Sequence, residues 1–411
     1  MVGLAWIVLS LFGGLPFLLC GMFDKPVDAF FEAVSGFTTT GATVLTDFEG
    51  QGHGVMFWRS FTHWIGGMGV LVLTLALLPK VSGHTSHLMR AESPGPTLSK
   101  IVPKLGDTAK ILYMIYIGLT LLEFVALLLC GMNAYDAAIH AFGTAGTGGF
   151  SNYGASVGAF DSAAVDVVIT VFMIIFGVNF SLYYALLIRN WRGAFHSEEL
   201  HWYLGMVAVS ILLMTLFILP CYDGFWTALR YAGFQVASIV STTGFATADF
   251  IKWPVQARML ILALMFVGSC AGSTAGGMKV VRVALLSKNI KRQVLHTFQP
   301  RRVQVIRFED HAVSNDQLRQ ISVFTGCYVM LVLLGGFLIS LEGLYDVETN
   351  FTAALTCMSN VGPGFGAVGP VENFAGYGPF AKIVLSLLML AGRLEIFPML
   401  VMFHPDAWRR I

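Results

Sequence analysis

The sequence predicts an all-α polytopic membrane protein made of four repeated hairpins, each a helix, a re-entrant loop and a second helix. Three observations carry this expectation: a deficit of charge, a series of apolar runs of bilayer length, and one pattern that returns four times. Of the 411 residues, 56% are hydrophobic and 12% charged, against about 25% charged in a soluble domain. The mean hydropathy is +0.72. So little charge cannot cover a water-facing surface of this size, and the solvent for most of the chain is lipid.

A helix needs about 20 apolar residues to cross the hydrocarbon core. Stretches of that kind fall near 3–22, 61–79, 109–131, 164–188, 201–220, 256–287, 319–341 and 380–402. Within each successive pair lies a short amphipathic segment: Val27–Phe37, Tyr135–Thr144, Phe225–Val240 and Asp346–Ser359. These are too short to cross, so they read as half-helices that enter the membrane and turn back. Loops rich in Gly, Thr and Ser follow them: TTTGATV (38–44), TAGTGGFS (144–151), STTGFATADF (241–250) and SNVGPGFGAVG (359–369).

Aligning one glycine per loop gives Gly41, Gly148, Gly244 and Gly362, spaced 107, 96 and 118 residues apart. A period near a quarter of the chain is far longer than a solenoid unit. The units are 1–80, 109–190, 200–288 and 319–411, with polar, basic linkers at 80–108, 189–200 and 288–318. The segment 289–318, carrying KNIKRQ and QPRRVQVIR, is expected as a basic cytoplasmic linker and a site of cytoplasmic contact.

Charge placement orients the chain. With the first helix running outward, Lys25, Arg59, Arg230, Lys252, Arg258 and Lys382 lie outside and the other 19 of the 25 Lys and Arg lie inside. Cytoplasmic loops carry that excess, so both termini are expected inside. The net charge of +1 is no footprint of a nucleic-acid partner. Six scattered cysteines without a CxxC pair support neither a zinc site nor a disulfide framework. Residues 1–22 lack a basic leader region and read as a first membrane helix, not a cleaved signal; the abrupt start at Met1 leaves room for natural upstream sequence.

Irregular backbone at membrane depth is tolerated only where it is buried in protein or lines a water-filled cavity. Four such loops meet that condition by gathering in pseudo-fourfold arrangement around one pore. Their carbonyl oxygens can then replace the hydration shell of an alkali cation. Glycine permits the required backbone angles, a neighbouring Thr or Ser stiffens the loop, and each half-helix aims its partly negative C-terminal end at the centre. Candidate filter residues are Thr39, Thr40 and Gly41; Gly146, Thr147 and Gly148; Thr242, Thr243 and Gly244; and Asn360, Val361 and Gly362. No acidic ring is present in the loops, and only Asp249, near the end of the third, is acidic.

The helix from Arg258 to Lys288 is over-long and interrupted by GSCAGSTAGG (268–277), where each Gly costs roughly 1 kcal/mol against Ala in a helix. One reading is a close-packing surface of small residues. The other is an intramembrane loop across the pore, with Gly268, Gly272, Ser273, Thr274, Gly276, Gly277 and Lys279 as gate residues. Arg393 stands inside the apolar run LSLLMLAGRLEIFPML, where an arginine costs at least roughly 2.5–3.5 kcal/mol. It therefore faces a cavity or a partner, or snorkels to the inner interface. Arg393 and Glu395 fall on different helix faces and need not pair.

The strings SGFTTTGAT, VGSCAGSTAGGMKV and LAGRLEIFPMLVMF resemble those of the Trk/Ktr/HKT superfamily of potassium transporters, most like its bacterial TrkH branch. The likeness covers essentially the whole chain with all four loops in order. It implies potassium uptake across a bacterial inner membrane through four pore loops, with potassium as substrate and no covalent cofactor. It also implies a homodimer above a nucleotide-binding regulatory ring protein of the TrkA/KtrA type, the nucleotide being bound by that partner alone. A glycine in every filter loop goes, by resemblance, with potassium over sodium. The resemblance places the gating loop at GSCAGSTAGG and Arg393 in the pore beneath the filter, as a barrier to cations. Members of that branch usually carry two further helices before the first repeat, and this chain begins too late to include them.

Other functions fit less well. A proton- or sodium-coupled potassium symporter on the same scaffold is the alternative. A rocking transporter with a midplane site typically has two-part symmetry, and an intramembrane enzyme would need a nucleophile or metal constellation in the apolar core; HExxH is missing, as are paired carboxylates in that core. Glu123 reads as a proton-linked site or a helix-packing carboxyl. His84 and His87 have helical spacing without the company of other metal ligands, and Trp6, Trp58, Trp64, Trp253 and Trp408 read as interfacial anchors.

Overall fold

The computed structural model describes residues 2–69, 105–301 and 304–402. Four long apolar helices of membrane-crossing length stand among them: α1 (Val2–Leu19), α4 (Leu105–Leu129), α8 (Glu198–Ile218) and α12 (Asn315–Ser340). Each is followed by a short helix: α2 (Pro26–Phe37), α5 (Ala134–Gly146), α9 (Phe225–Val240) and α13 (Val347–Ser359). Their starts follow from local chemistry. Pro26 takes the first turn of α2, where its missing N–H costs nothing. The Asn133 side chain caps α5 by accepting from the Asp136 N–H at 2.8 Å, and Asp346 caps α13 through the Thr349 N–H at 3.0 Å.

The burial pattern is inverted relative to a soluble protein. The long helices are apolar yet turn Leu and Met outward, Met114 being 64% exposed and Leu122 59% exposed. The short helices carry Glu32, His140, Gln235 and Thr356, all fully buried. A layer of lipid-facing helices thus surrounds a polar centre.

The second helix of each unit is short. α3 (His53–Gly67), α6 (Ala163–Phe176), α10 (Val255–Val267) and α14 (Pro379–Arg393) run 15, 14, 13 and 15 residues. After α6 the chain bends by 90° into α7 (Phe180–Leu187). After α10 it leaves helical geometry until α11 (Val280–Phe298), and after α14 the positive-φ residues Glu395 and Ile396 precede α15 (Phe397–Met402). The expected straight spans 164–188 and 380–402 are therefore both broken. The Asn179 side chain caps α7 by accepting from the Ser181 N–H at 2.9 Å, which fixes the first break. The span 61–79 lies only partly, and His84, His87 and Trp408 not at all, within the described residues.

Packing between units follows one rule. α3 packs on α5, α6 on α9, α10 on α13, and α14 on α2, so each second helix meets the short helix of the next unit and the last meets the first. Two expectations about side chains change. Trp6 and Trp253 are buried in the core, not at an interface. Arg59, read as an outer-loop charge, is buried within α3 because Glu32 pairs with it. The basic segment 289–318 is also more ordered than a linker: α11 continues to Phe298, and a hairpin of β1 (Arg307–Phe308) and β2 (His311–Ala312) follows.

Candidate functional site

The four short helices end in the same way. The N–H of Thr39 bonds to Gly36 O and that of Thr40 to Ser35 O; the matching pairs are Thr147 to Thr144 and Gly148 to Gly143, Thr242 to Ile239 and Thr243 to Ser238, and Asn360 to Cys357 and Val361 to Thr356. These are Schellman closures, which need a left-handed residue after the helix. Thr39, Thr147, Thr242 and Asn360 supply it at φ values of 55°, 54°, 56° and 55°. A left-handed conformation costs a non-glycine residue roughly 1–2 kcal/mol, so the same strain is held four times.

Two residues further on, Gly41, Gly149, Gly244 and Gly362 all have positive φ, between 75° and 100°. This corrects the register in the second loop. Gly148 takes the place of Thr40, Gly149 that of Gly41, and Gly146 stands at the end of α5. A methyl group built on each of the four glycines would strike a carbonyl oxygen of the next loop: Gly41 that of Gly148, Gly149 that of Thr243, Gly244 that of Val361, and Gly362 that of Thr40 at 2.7 Å. The steps return to the first loop. All four glycines also line one open cavity of about 370 Å³, shared with Glu49, Arg59, Ser151 and Glu372. The candidate residues of the four loops are thus brought together, with their helix C-termini converging. Buried oxygens without a hydrogen-bond partner among the described residues include Thr39 Oγ1 and Asn360 Oδ1. The Asn360 amide donates to Thr40 Oγ1 at 2.9 Å, joining the fourth loop to the first.

The segment 268–279 lies against this ring. Gly268, Gly272 and Gly277 take positive φ, as does Lys279. The Gly276 N–H donates to Thr242 Oγ1 at 2.7 Å, and a methyl on Gly276 would strike the Ser359 carbonyl. Gly272 O accepts from the Phe180 N–H at 3.1 Å, so the segment also meets the break after α6. The Ser273 hydroxyl donates to Cys270 O at 2.6 Å and the Lys279 ammonium to Ala275 O at 2.6 Å, which stiffen the segment from within. The Ala271 N–H donates to Glu199 Oε1 at 2.6 Å, and the Glu199 N–H donates to Glu309 of the β-hairpin turn at 3.1 Å.

Arg393 ends α14 and donates to three carbonyls: Thr274 at 2.7 Å, Gly66 at 2.5 Å and Gly67 at 2.6 Å. It therefore bridges the segment 268–279 to the end of α3. Glu395 bonds instead to Arg282 at 2.6 Å; it lies past the end of α14 at a φ of 60°, so the expectation of two faces of one helix does not apply. A small cavity lies between Gly276, Lys279, Gly392 and Arg393. Among the described residues no cluster of His, Cys, Asp or Glu has the geometry of a metal site.

Sequence reasoning missed a second polar system behind the loops. Arg59 Nε donates to Glu32 Oε1 at 2.7 Å, and Arg59 Nη1 donates to Ser151 O at 3.0 Å. Two charges within otherwise apolar, aromatic segments were the available signal. Glu123 is fully buried, and neither of its oxygens has a hydrogen-bond partner among the described residues.

Comparison with known proteins identifies the family. The profile of the TrkH family, described as a cation transport protein, matches residues 2–221 and 225–409. The Trk system potassium uptake protein TrkH of Salmonella typhimurium is 38% identical over all of this chain and 85% of its own length. The protein of that name from Escherichia coli K12 is 37% identical over the same shares. The crystal structure of the potassium transporter TrkH from Vibrio parahaemolyticus superposes with a TM-score of 0.87 at 35% identity, covering 100% of this chain and 85% of that one. Helices long enough to span a bilayer, converging polar loops and this likeness over the whole chain lead to one conclusion: the chain belongs to the TrkH family of cation transport proteins.

Proposed function

We propose that this chain takes up potassium through a pore ringed by the four loops in pseudo-fourfold arrangement. The observation that carries the reading is the closed series of contacts from Gly41 to Gly148, Gly149 to Thr243, Gly244 to Val361 and Gly362 to Thr40. Carbonyls brought together in this way suit a dehydrated alkali cation, and the relatives are named for potassium. In this reading Thr39–Gly41, Thr147–Gly149, Thr242–Gly244 and Asn360–Gly362 form the filter.

The segment 268–279 acts as the gate beneath it, with Arg393 as the positive barrier. Support comes from its bonds to Thr242 and Arg393 and its contact with Ser359. A homodimer in the bacterial inner membrane, termini inside, with a nucleotide-binding ring regulator of the TrkA/KtrA type beneath the 289–318 segment, completes the proposal. Potassium flux into vesicles of the purified protein, with and without a membrane potential and a pH gradient, tests it. Flux that follows the potential alone supports the pore; flux driven by a proton or sodium gradient favours a coupled symporter on the same scaffold.

A further inference from the structure

The four units are alike in backbone and unlike in what stands behind the loops. Nine residues before the positive-φ glycine of each loop stand Glu32, His140, Gln235 and Ala353, all fully buried. At the seventh residue of the second helices stand Arg59, Ile169, Ile261 and Leu385, buried to within 1%. A charged pair therefore occurs in the first unit, where the third has Gln and Ile.

The charges reach forward to the loops. Glu32 accepts from Thr43 Oγ1 at 2.8 Å and from the Val44 N–H at 2.9 Å, just beyond Gly41. The Arg59 guanidinium lies 3.5 Å from the Phe150 ring centre and bonds the Ser151 carbonyl, just beyond Gly149. Ser151 Oγ in turn meets His140 Nε2 at 3.1 Å, the counterpart of the Thr43–Glu32 bond one unit earlier. The first two loops are thus tied by one run of hydrogen bonds. The third has Ala246 in the place of Thr43 and Ser151, and both polar atoms of the Gln235 amide lack partners among the described residues.

We propose that the Glu32–Arg59 pair is a positioning element that fixes the first two loops against each other and thereby sets the discrimination between potassium and sodium. This rests on the reading of the loops as a filter. The physical basis is directness. The pair holds the Thr43 hydroxyl and the Val44 backbone, two and three residues past Gly41, and the Ser151 backbone, two past Gly149, and those glycines already touch the neighbouring loops. A charge-assisted bond fixes such backbone more tightly than apolar contact does.

The third unit supplies the test variant. Glu32→Gln with Arg59→Ile copies Gln235 and Ile261, removing both charges together so that neither is left buried alone. Arg59→Lys keeps the charge but gives up the planar fork that reaches Ser151 while holding Glu32. As a control, Asp28→Asn with Lys382→Met removes another ion pair, its lysine buried and its aspartate partly exposed, joined at 2.6 Å between α2 and α14, that bonds none of the loops. Potassium and sodium uptake are measured in vesicles and normalised to inserted protein. The expected result is a potassium-to-sodium ratio lowered about tenfold in the double variant and several-fold in Arg59→Lys, with the control unchanged. A ratio within about twofold of the parent chain in Arg59→Lys overturns the proposal, whether or not the double variant inserts. An equal fall in the control overturns it too. The parent chain in the same vesicles tests the filter reading separately: without potassium preference there, that reading fails first.

Discussion

The backbone N–H of Gly276 donates to the Thr242 hydroxyl at 2.7 Å, so the segment 268–279 hangs from the left-handed residue of the third loop. Thr242→Val keeps the shape and removes the acceptor. A buried N–H left unpaired costs about 1–3 kcal/mol, which weakens the position in which the segment lies under the loops. Basal potassium flux should rise several-fold at unchanged membrane abundance. Equal flux in the variant and the parent chain would show that the bond has no part in closure.

Gly41 faces two constraints at once: a φ of 81° and the Gly148 carbonyl in the space a side chain would fill. Gly41→Ser must strain the backbone by roughly 1–2 kcal/mol or push the second loop away, and it brings a hydroxyl to the ring. The ratio of potassium to sodium flux should fall about tenfold or more. An unchanged ratio would remove Gly41 from the ion path.

Shortening the segment within Gly272–Gly276 tests closure from the other side. Its contacts with Thr242, Ser359 and Arg393 all fall between Thr274 and Gly276, so a chain two or three residues shorter cannot make them together. Basal flux should increase. A shortened protein that inserts normally and carries no extra flux would mean that the segment packs without gating.

Arg393 donates to three carbonyl oxygens across the gap between α3 and the segment 268–279. Its charge and its bonds act in the same direction. A cation 6–8 Å away at an effective dielectric near 20 is repelled by about 2–3 kcal/mol, or roughly thirty- to a hundredfold in rate. Screening by water in the cavity lowers this. Arg393→Ala should raise potassium uptake a few-fold to tenfold, measured per inserted protein. A fall in normalised uptake would show that the arginine holds the helices together and bars nothing.

Much of this arrangement was legible in the sequence. The short helices begin within a residue of their expected starts because Pro26, Asn133 and Asp346 carry local signals. The break after Val267 follows from glycine content alone. The register of the second loop was not legible. TGG offers two adjacent glycines, and counting from Thr147, the residue in the place of Thr39, is what selects Gly149. The break at Leu394–Ile396 contains no Gly or Pro; it lies where Arg393 turns to the carbonyls of α3 and Glu395 to Arg282, contacts that only the folded chain brings together. Glu32 and Arg59 likewise stand 27 residues apart and meet only across two helices.

In the proposed pore four carbonyls, those of Thr40, Gly148, Thr243 and Val361, surround one cation. Anomalous scattering from crystals of the protein grown in thallium or rubidium tests this most directly. The account predicts a peak on the axis between these four oxygens, weakened when sodium replaces the heavier ion. Strong peaks elsewhere in the membrane-embedded part, with none between the loops, would contradict it.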